Sequence, residues 1–264
     1  MAIPEKNQKL NDVVNQYLRP ATFPVAVKIY KKGEEVPFKA RVPMRDLKHR
    51  LAICQGMTIA RKYGWTLAFN QEDQACPLAQ VILGYTDEPD FIKDGSVVFP
   101  LYAETMEAAA KTQASTPKMP QADTGTIVLA PLHKAEFDPD VVVIYGNPAQ
   151  VVRMIQGGLY KEGGYIESRF AGRGACGGEI TVPYTQKKYN VIIPGGGEKV
   201  FALTGDDELA FAMPASKIDD FMKGLVATHD GGVARIPTPV YGVNVQPAFP
   251  KYYWELEKYC GLRD

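Results

Sequence analysis

No run in this chain approaches the roughly 18 uninterrupted apolar residues that a membrane span requires. The opening MAIPEKNQKLNDVV has neither the apolar core of a signal peptide nor the Arg/Ser-rich pattern of a transit peptide. Together these absences predict a cytoplasmic protein with no membrane partner. Excess charge is missing too: Lys plus Arg and Asp plus Glu number 30 each. Without a basic field, nucleic acid is not an expected partner. Histidine is scarce, and His49, His133 and His229 form no His-x-x-x-His pair, so surface or capping roles are expected. No Gly-x-Ser-x-Gly elbow, Walker loop or kinase signature occurs, which argues against serine hydrolases and P-loop NTPases. Cysteine is limited to four in 264 residues, without a Cys-x-x-Cys. So few thiols in a reducing compartment are core residues, metal ligands or reactive groups rather than a disulfide framework.

What is present reads as an α+β chain. A polar helix is expected over about 5–18, then the apolar strand PVAVKIY at 24–30. Helical spacing over 45–63 stops at Gly64, a suitable C-terminal cap, and places Leu47, Leu51 and Cys54 on one face. WTLAF, SVVFPLY, TGTIVLAPL, PDVVVIYG, GGYIESRF, GEITVPY, NVIIP, KVFALTG and ELAFAMP are strand candidates. CPLAQVILGY, AETMEAAAKT, AQVVRMIQGGLYKE, ASKIDDFMKGLVAT and the terminal YYWELEKYC are helix candidates. Asp138 and Asp140 flank Pro139 as turn residues, and Gly195, Gly196 and Gly197 read as a tight turn between strands. A Pro/aromatic-rich stretch over 236–251 is expected to wrap over the body or over a second copy of the chain, giving a homo-oligomer.

The pattern also repeats. GWTLAFNQEDQAC at 64–76 parallels GYIESRFAGRGAC at 164–176, PVAVKIY parallels PDVVVIY, and IVLAPLHKAEF parallels LAFAMPASKIDDF, all in the same order. The expectation is an internal duplication: a first half over 1–133, a second over 134–235 and a tail over 236–264. Two α/β-type halves would pack about a pseudo-twofold axis in one compact unit, with mixed sheets flanked by helices. Cys76 and Cys176 would then occupy matching positions at a shared pocket. Cys54 has no counterpart, because the equivalent stretch reads Pro148-Ala149-Gln150.

Cys54, Cys76 and Cys176 are separated by 21 and then 99 residues, a spacing that matches no compact ferredoxin or zinc finger. Any shared site would have to be assembled by the fold. Cys76 precedes Pro77 at a helix start, and Cys176 lies in GRGACGG beside Arg173, so both thiols are expected to be acidified. The residues 172–177 also satisfy Gly-x-Gly-x-x-Gly, yet GEITVPY after them reads as strand, so a dinucleotide fold is rejected. A sulfur- or anion-binding nest formed by Gly174 and Gly177 is kept. The opposing reading is that free cysteines act as small apolar fillers, which applies most to Cys54; Cys260 is taken as incidental.

PVAVKIY, the Cys54 helix ending Ala60-Arg61-Lys62-Tyr63-Gly64, Cys76 with Leu-Gly soon after, APL before PDVVVIYGNPAQ, and Cys176 in its glycine loop resemble the prokaryotic family catalogued as domain of unknown function 169. The resemblance covers about residues 10–225. It implies that Cys54, Cys76 and Cys176 belong to the family pattern and that Cys260 does not. It implies no reaction. The family's occurrence in anaerobes would suit an oxygen-sensitive cofactor.

The leading expectation is an iron–sulfur protein holding one [4Fe–4S] cluster between the halves through Cys54, Cys76 and Cys176. One iron would be open to a small ligand, substrate or redox partner, and Arg61 and Arg173 would supply positive charge. Zinc held by the same thiolates is an alternative cofactor. A different class of reading is a metal-free enzyme or small-molecule binder in which an activated Cys176 thiolate works beside Arg173. A third is a binding or assembly protein that acts through its tail.

Overall fold

The computed structural model describes residues 2–231, 235–236 and 253–262. Its strands are β1 (Val25–Lys31), β2 (Leu67–Phe69), β3 (Thr124–Pro131), β4 (Val141–Gly146), β5 (Asn190–Ile192) and β6 (Leu209–Pro214). The helices are α1 (Glu5–Tyr17), α2 (Ile53–Thr58), α3 (Pro77–Ile82), α4 (Asp90–Lys93), α5 (Met106–Ser115), α6 (Pro148–Leu159), α7 (Val182–Gln186), α8 (Gly196–Phe201), α9 (Ile218–Asp230) and α10 (Trp254–Tyr259). Wide π-type turns occupy Pro43–Leu47, Ile59–Tyr63 and Gly177–Thr181.

The strands form one sheet in the order β2-β3-β1-β4-β6-β5, and every pairing is antiparallel. Central strands buried on both faces need apolar residues at successive positions, and VAVKIYK and VVVIYG supply them. On one face Ala26, Val128, Val142 and Phe211 meet α1, α6 and α9 through Leu10, Val14, Met154, Phe221 and Leu225. On the other, Val27, Leu129, Val143 and Ala212 lie under Ile53, Met57, Ile82, Cys176 and Ile180. That second face carries the cysteines.

Two expectations about architecture are corrected. The sheet is antiparallel throughout rather than mixed: β1, β2 and β6 run one way, β3, β4 and β5 the other, and the sheet order interleaves the two sets. The internal duplication is not shown. Exchanging β1 with β4, β2 with β5 and β3 with β6 does map the strand order onto itself. Halves related in this way would carry their helices on the same face, however, and α2 packs on one face whereas α6 packs on the other. Cys76 follows β2, while Cys176 precedes β5, so the two are not equivalent in the sheet.

Several local expectations also fail. Residues 96–102 and 165–170 form no strand; Leu101 is 81% and Tyr165 94% exposed, and no sheet edge receives them. GEITVPY is helical, as the turn at Gly177–Thr181 followed by α7, and Lys199–Phe201 belong to α8 rather than to a strand. The glycines Gly195–Gly197 lead into α8 instead of linking strands. Helical structure over 45–63 is interrupted between Lys48 and Ala52. It does end at Gly64 with φ +72°, the left-handed cap that glycine adopts without strain. The Pro/aromatic tail lies outside the described residues, apart from α10.

Helices α6 and α9 cross where Gly157 faces Gly224, so closely that a Cβ on Gly224 would overlap the Gly157 carbonyl. Because both partners are backbone, neither can step aside. Gly224→Ala should therefore cost about 1–3 kcal/mol, measured by denaturant unfolding with an unchanged slope. A loss below a few tenths would mean that the helices separate freely.

Candidate functional site

The fold gathers the three cysteines that the sequence scatters. Leu51 and Gln74 form a parallel bridge, with the Leu51 N–H donating to the Asp73 carbonyl at 3.0 Å and the Ala75 N–H to the Leu51 carbonyl at 2.9 Å. Three residues after Leu51 comes Cys54, in the first turn of α2, and two after Gln74 comes Cys76, the residue that precedes α3. This ladder fixes the two strand-to-helix entries side by side. Cys176 arrives from the other half of the sheet, immediately before the π-type turn at 177–181. All three thiols lie on the same face of the sheet, and Cys76 is near enough to both Cys54 and Cys176 to disfavour their ionisation. Cys260 is exposed and takes no part.

Beneath the thiols lies a buried acidic network that sequence reasoning missed. Glu179 and Glu198 are 0% and 4% exposed. The Tyr145 hydroxyl donates a short hydrogen bond to Glu179 Oε1 and lies 3.4 Å from Glu198 Oε1, while the Gly195 N–H donates to Glu198 Oε2 at 3.0 Å. Burial, and then the facing Glu198, raise the pKa of Glu179; burial raises that of Glu198 against the hydrogen bonds that hold its carboxylate. Two carboxyls so placed cannot both ionise cheaply, and they share a proton. Burial above all, and then both glutamates, push Tyr145 well above its usual range.

Arg61 is fully buried beside this network, on the π-type turn 59–63. It forks onto Glu208 at 2.6 and 2.9 Å and lies 4.0 Å over the Tyr145 ring. Burial pushes Glu208 up, but the Arg61 and Gly205 hydrogen bonds outweigh it and leave its pKa lowered. The charge of Arg61 is thus committed to Glu208. Arg173 is the more accessible cation. Its Nη1 donates to Gln113 Oε1 at 2.6 Å, its guanidinium lies 5.2 Å over Tyr102, and it is close enough to interact with Cys76.

The expectation that Cys176 is acidified is overturned. Burial first, and then Cys76 and Glu179, raise its pKa well above the thiol range, although the thiol lies in the first turn of a helical segment. Burial, Glu198, Glu179 and Cys76 likewise push Cys54 up to about 12. The glycine nest is only partly formed. Gly174 has φ +63°, and the Gly177 N–H goes to the Gly174 carbonyl at 3.0 Å instead of to sulfur. The dinucleotide site stays rejected on new grounds: a helical turn does follow Gly177, but no strand immediately precedes the loop and none of the six strands pairs with another in parallel.

No histidine joins the thiols: His49 is exposed, His133 meets Phe23 in a tilted ring contact and His229 meets Tyr17 edge-on. Among the described residues no three His, Cys, Asp or Glu side chains stand close enough to hold a single metal ion. Two open cavities, of about 530 and 860 Å³, lie beside Arg50 and Asn70 and beside Arg41 and Trp65, with no cysteine among their lining residues. They are too solvent-exposed for chemistry that needs excluded water.

With this geometry in view, the comparison with protein families is decisive. The profile of domain of unknown function 169, described as uncharacterised ArCR, matches residues 13–224. The chain belongs to this family. The matched span contains all three converging cysteines, the acidic pair and both arginines, and it stops before Cys260. The chain is also similar to the uncharacterized protein MJ0308 of Methanocaldococcus jannaschii, 28% identical over 204 residues that make up 76% of this chain and 85% of that protein. No solved structure matches the chain. No helix among the described residues is long and apolar enough to cross a membrane.

Proposed function

We propose that this is a cytoplasmic iron–sulfur protein whose cluster is held by Cys54, Cys76 and Cys176. What carries the reading is the convergence of three thiols from three separate segments onto one buried face. Soft thiolates set in apolar surroundings are the donor set such clusters take. Zinc held by the same thiolates is the competing cofactor, and metal content per chain separates the two.

A cluster bound by three cysteines supplies, when present, one iron position open to an exogenous ligand. The chain's own residues shape the surroundings of that position. The Leu51–Gln74 bridge sets the Cys54 and Cys76 entries, and the π-type turns at 59–63 and 177–181 re-aim the backbone on either side, as such turns often do at functional sites. Glu179 and Glu198 retain a proton near the thiols, with Tyr145 orienting it. A free, activated Cys176 thiolate is the weaker reading, given the burial of that thiol.

Iron, acid-labile sulfide and zinc measured per chain on protein purified without oxygen test the proposal. About four irons and four sulfides are expected, with broad absorption near 400 nm. Cys54→Ala, Cys76→Ala and Cys176→Ala should each lose most of this content, and Cys260→Ala should keep it. Absence of iron under anaerobic handling, or iron retained in all three variants, would sink the proposal.

A further inference from the structure

The geometry points to a recognition subsite for a small carboxylate at the thiol face, built from Arg173, Gln113 and Gln74. Of the four N–H groups on the terminal nitrogens of Arg173, only one on Nη1 is engaged, by Gln113 Oε1 at 2.6 Å, and no other hydrogen bond reaches the guanidinium among the described residues. Gln113 and the Tyr102 face hold the group in place, so an open fork is pre-oriented. A carboxylate can engage such a fork with both oxygens at once.

Two buried amides strengthen the assignment. The Gln113 side chain lies on a 0% exposed residue, and its Nε2 finds no acceptor among the described residues while its Oε1 is taken by Arg173. Gln74, 1% exposed, uses Oε1 to accept the Cys76 N–H at 3.1 Å, which fixes its orientation and leaves Nε2 without an acceptor. Buried amide nitrogens are nearly always paired in native proteins, so the Gln113 donor beside Arg173 and the Gln74 donor beside Cys76, which Arg173 also approaches, mark where an acceptor binds. One cation and two donors call for an anion whose oxygens accept several hydrogen bonds. The neighbouring thiols and the shared-proton pair Glu179–Glu198 disfavour a more highly charged dianion. A monocarboxylate fits best.

This inference deepens the iron–sulfur reading by naming the class of ligand beside the thiols, and its test is separable because metal content is measured on the same samples. Saturation-transfer NMR on the anaerobically purified full chain would use acetate, propionate and inorganic phosphate as probes, with methylammonium as a cationic control. Saturable binding of the two carboxylates is expected, tighter than that of phosphate. Arg173→Gln should weaken it at least tenfold and Gln113→Leu about threefold to tenfold. Arg173→Lys keeps the charge but not the fork, and should fall between wild type and Arg173→Gln. Thermal midpoints within a few degrees of wild type identify folded variants, and the lysine variant keeps the test open if the glutamine variant does not fold. The subsite is overturned by absence of saturable carboxylate binding, by phosphate binding tenfold tighter, or by carboxylate affinity unchanged in Arg173→Lys and Gln113→Leu. Loss of iron with carboxylate binding retained would remove the cluster and leave the subsite standing.

Discussion

Arg61→Met should destabilise the protein by about 3–5 kcal/mol, a large part of the stability of an ordinary domain. The guanidinium is 0% exposed and both its terminal nitrogens are bonded to Glu208. Methionine can fill much of the volume but leaves Glu208 without its partner and removes the cation from above the Tyr145 ring. At this chain length the loss corresponds to a fall in thermal midpoint on the order of 10 °C. Removing the stranded charge as well, in Arg61→Met with Glu208→Leu, should recover at least half of it, since much of the cost of breaking a buried pair lies in the charge left behind. A single variant that unfolds within 1 kcal/mol of wild type would show that solvent reaches Glu208 easily and that the pair is a surface one.

The second large effect depends on pH. Glu179 and Glu198 have pKa values raised above the ordinary 4.5, so the folded state holds a proton that the unfolded chain releases. Their contribution to stability is therefore greatest below 4.5 and is lost as pH rises through the folded values. Each unit of upward shift costs about 1.4 kcal/mol at pH values above both. Glu208 has the opposite sign but loses its contribution only below 4.5, outside this window. His133, whose pKa is lowered from 6.5 by burial and Lys134, opposes the trend as the medium is acidified. The informative quantity is thus the difference between wild type and Glu198→Gln. That difference also controls for Arg61, Tyr145, Cys54 and Cys176, which surround the pair. Chemical denaturation from pH 5 to pH 8 should show the glutamine variant gaining relative to wild type as pH rises, by about 1–3 kcal/mol over the range. A flat difference would mean that the pair does not carry the proton.

How much of this could be read from residue order varies by element. The central strands were plain because burial on both faces demands unbroken apolar runs, which VAVKIY and VVVIYG provide. Helix α6 was plain because Asn147 accepts the Gln150 N–H at 3.0 Å and Pro148 opens the first turn. The three cysteines were legible as residues but not as neighbours, since Cys54 and Cys76 approach through a backbone bridge between Leu51 and Gln74 and Cys176 arrives from the other half of the sheet, neither of which a spacing rule encodes. GEITVPY alternates like a strand, yet it folds as helical turns that bury Glu179 against Tyr145. A charged residue inside an apolar run was the available signal there. Glu198 carried a weaker one, three residues after Gly195, the spacing of a helix start rather than of a hairpin turn. Gln74 and Gln113 had none, because a glutamine's importance rests on which of its two ends goes unpaired.

The two halves of the sheet meet along a narrow seam. Strand β1 pairs with β3 over seven positions but with β4 over only three, Val25 to Val27 against Val141 to Val143. Asp140 reinforces the junction, accepting from the Ile29 N–H at 2.8 Å and from Lys28 Nζ at 3.0 Å. Cys54 and Cys76 belong to one side of that seam and Cys176 to the other. Anything that grips all three sulfurs therefore acts as a bolt across the joint. Amide exchange along 25–27 and 141–143 then becomes a gauge of occupancy, slow when the bolt is in and faster when it is withdrawn.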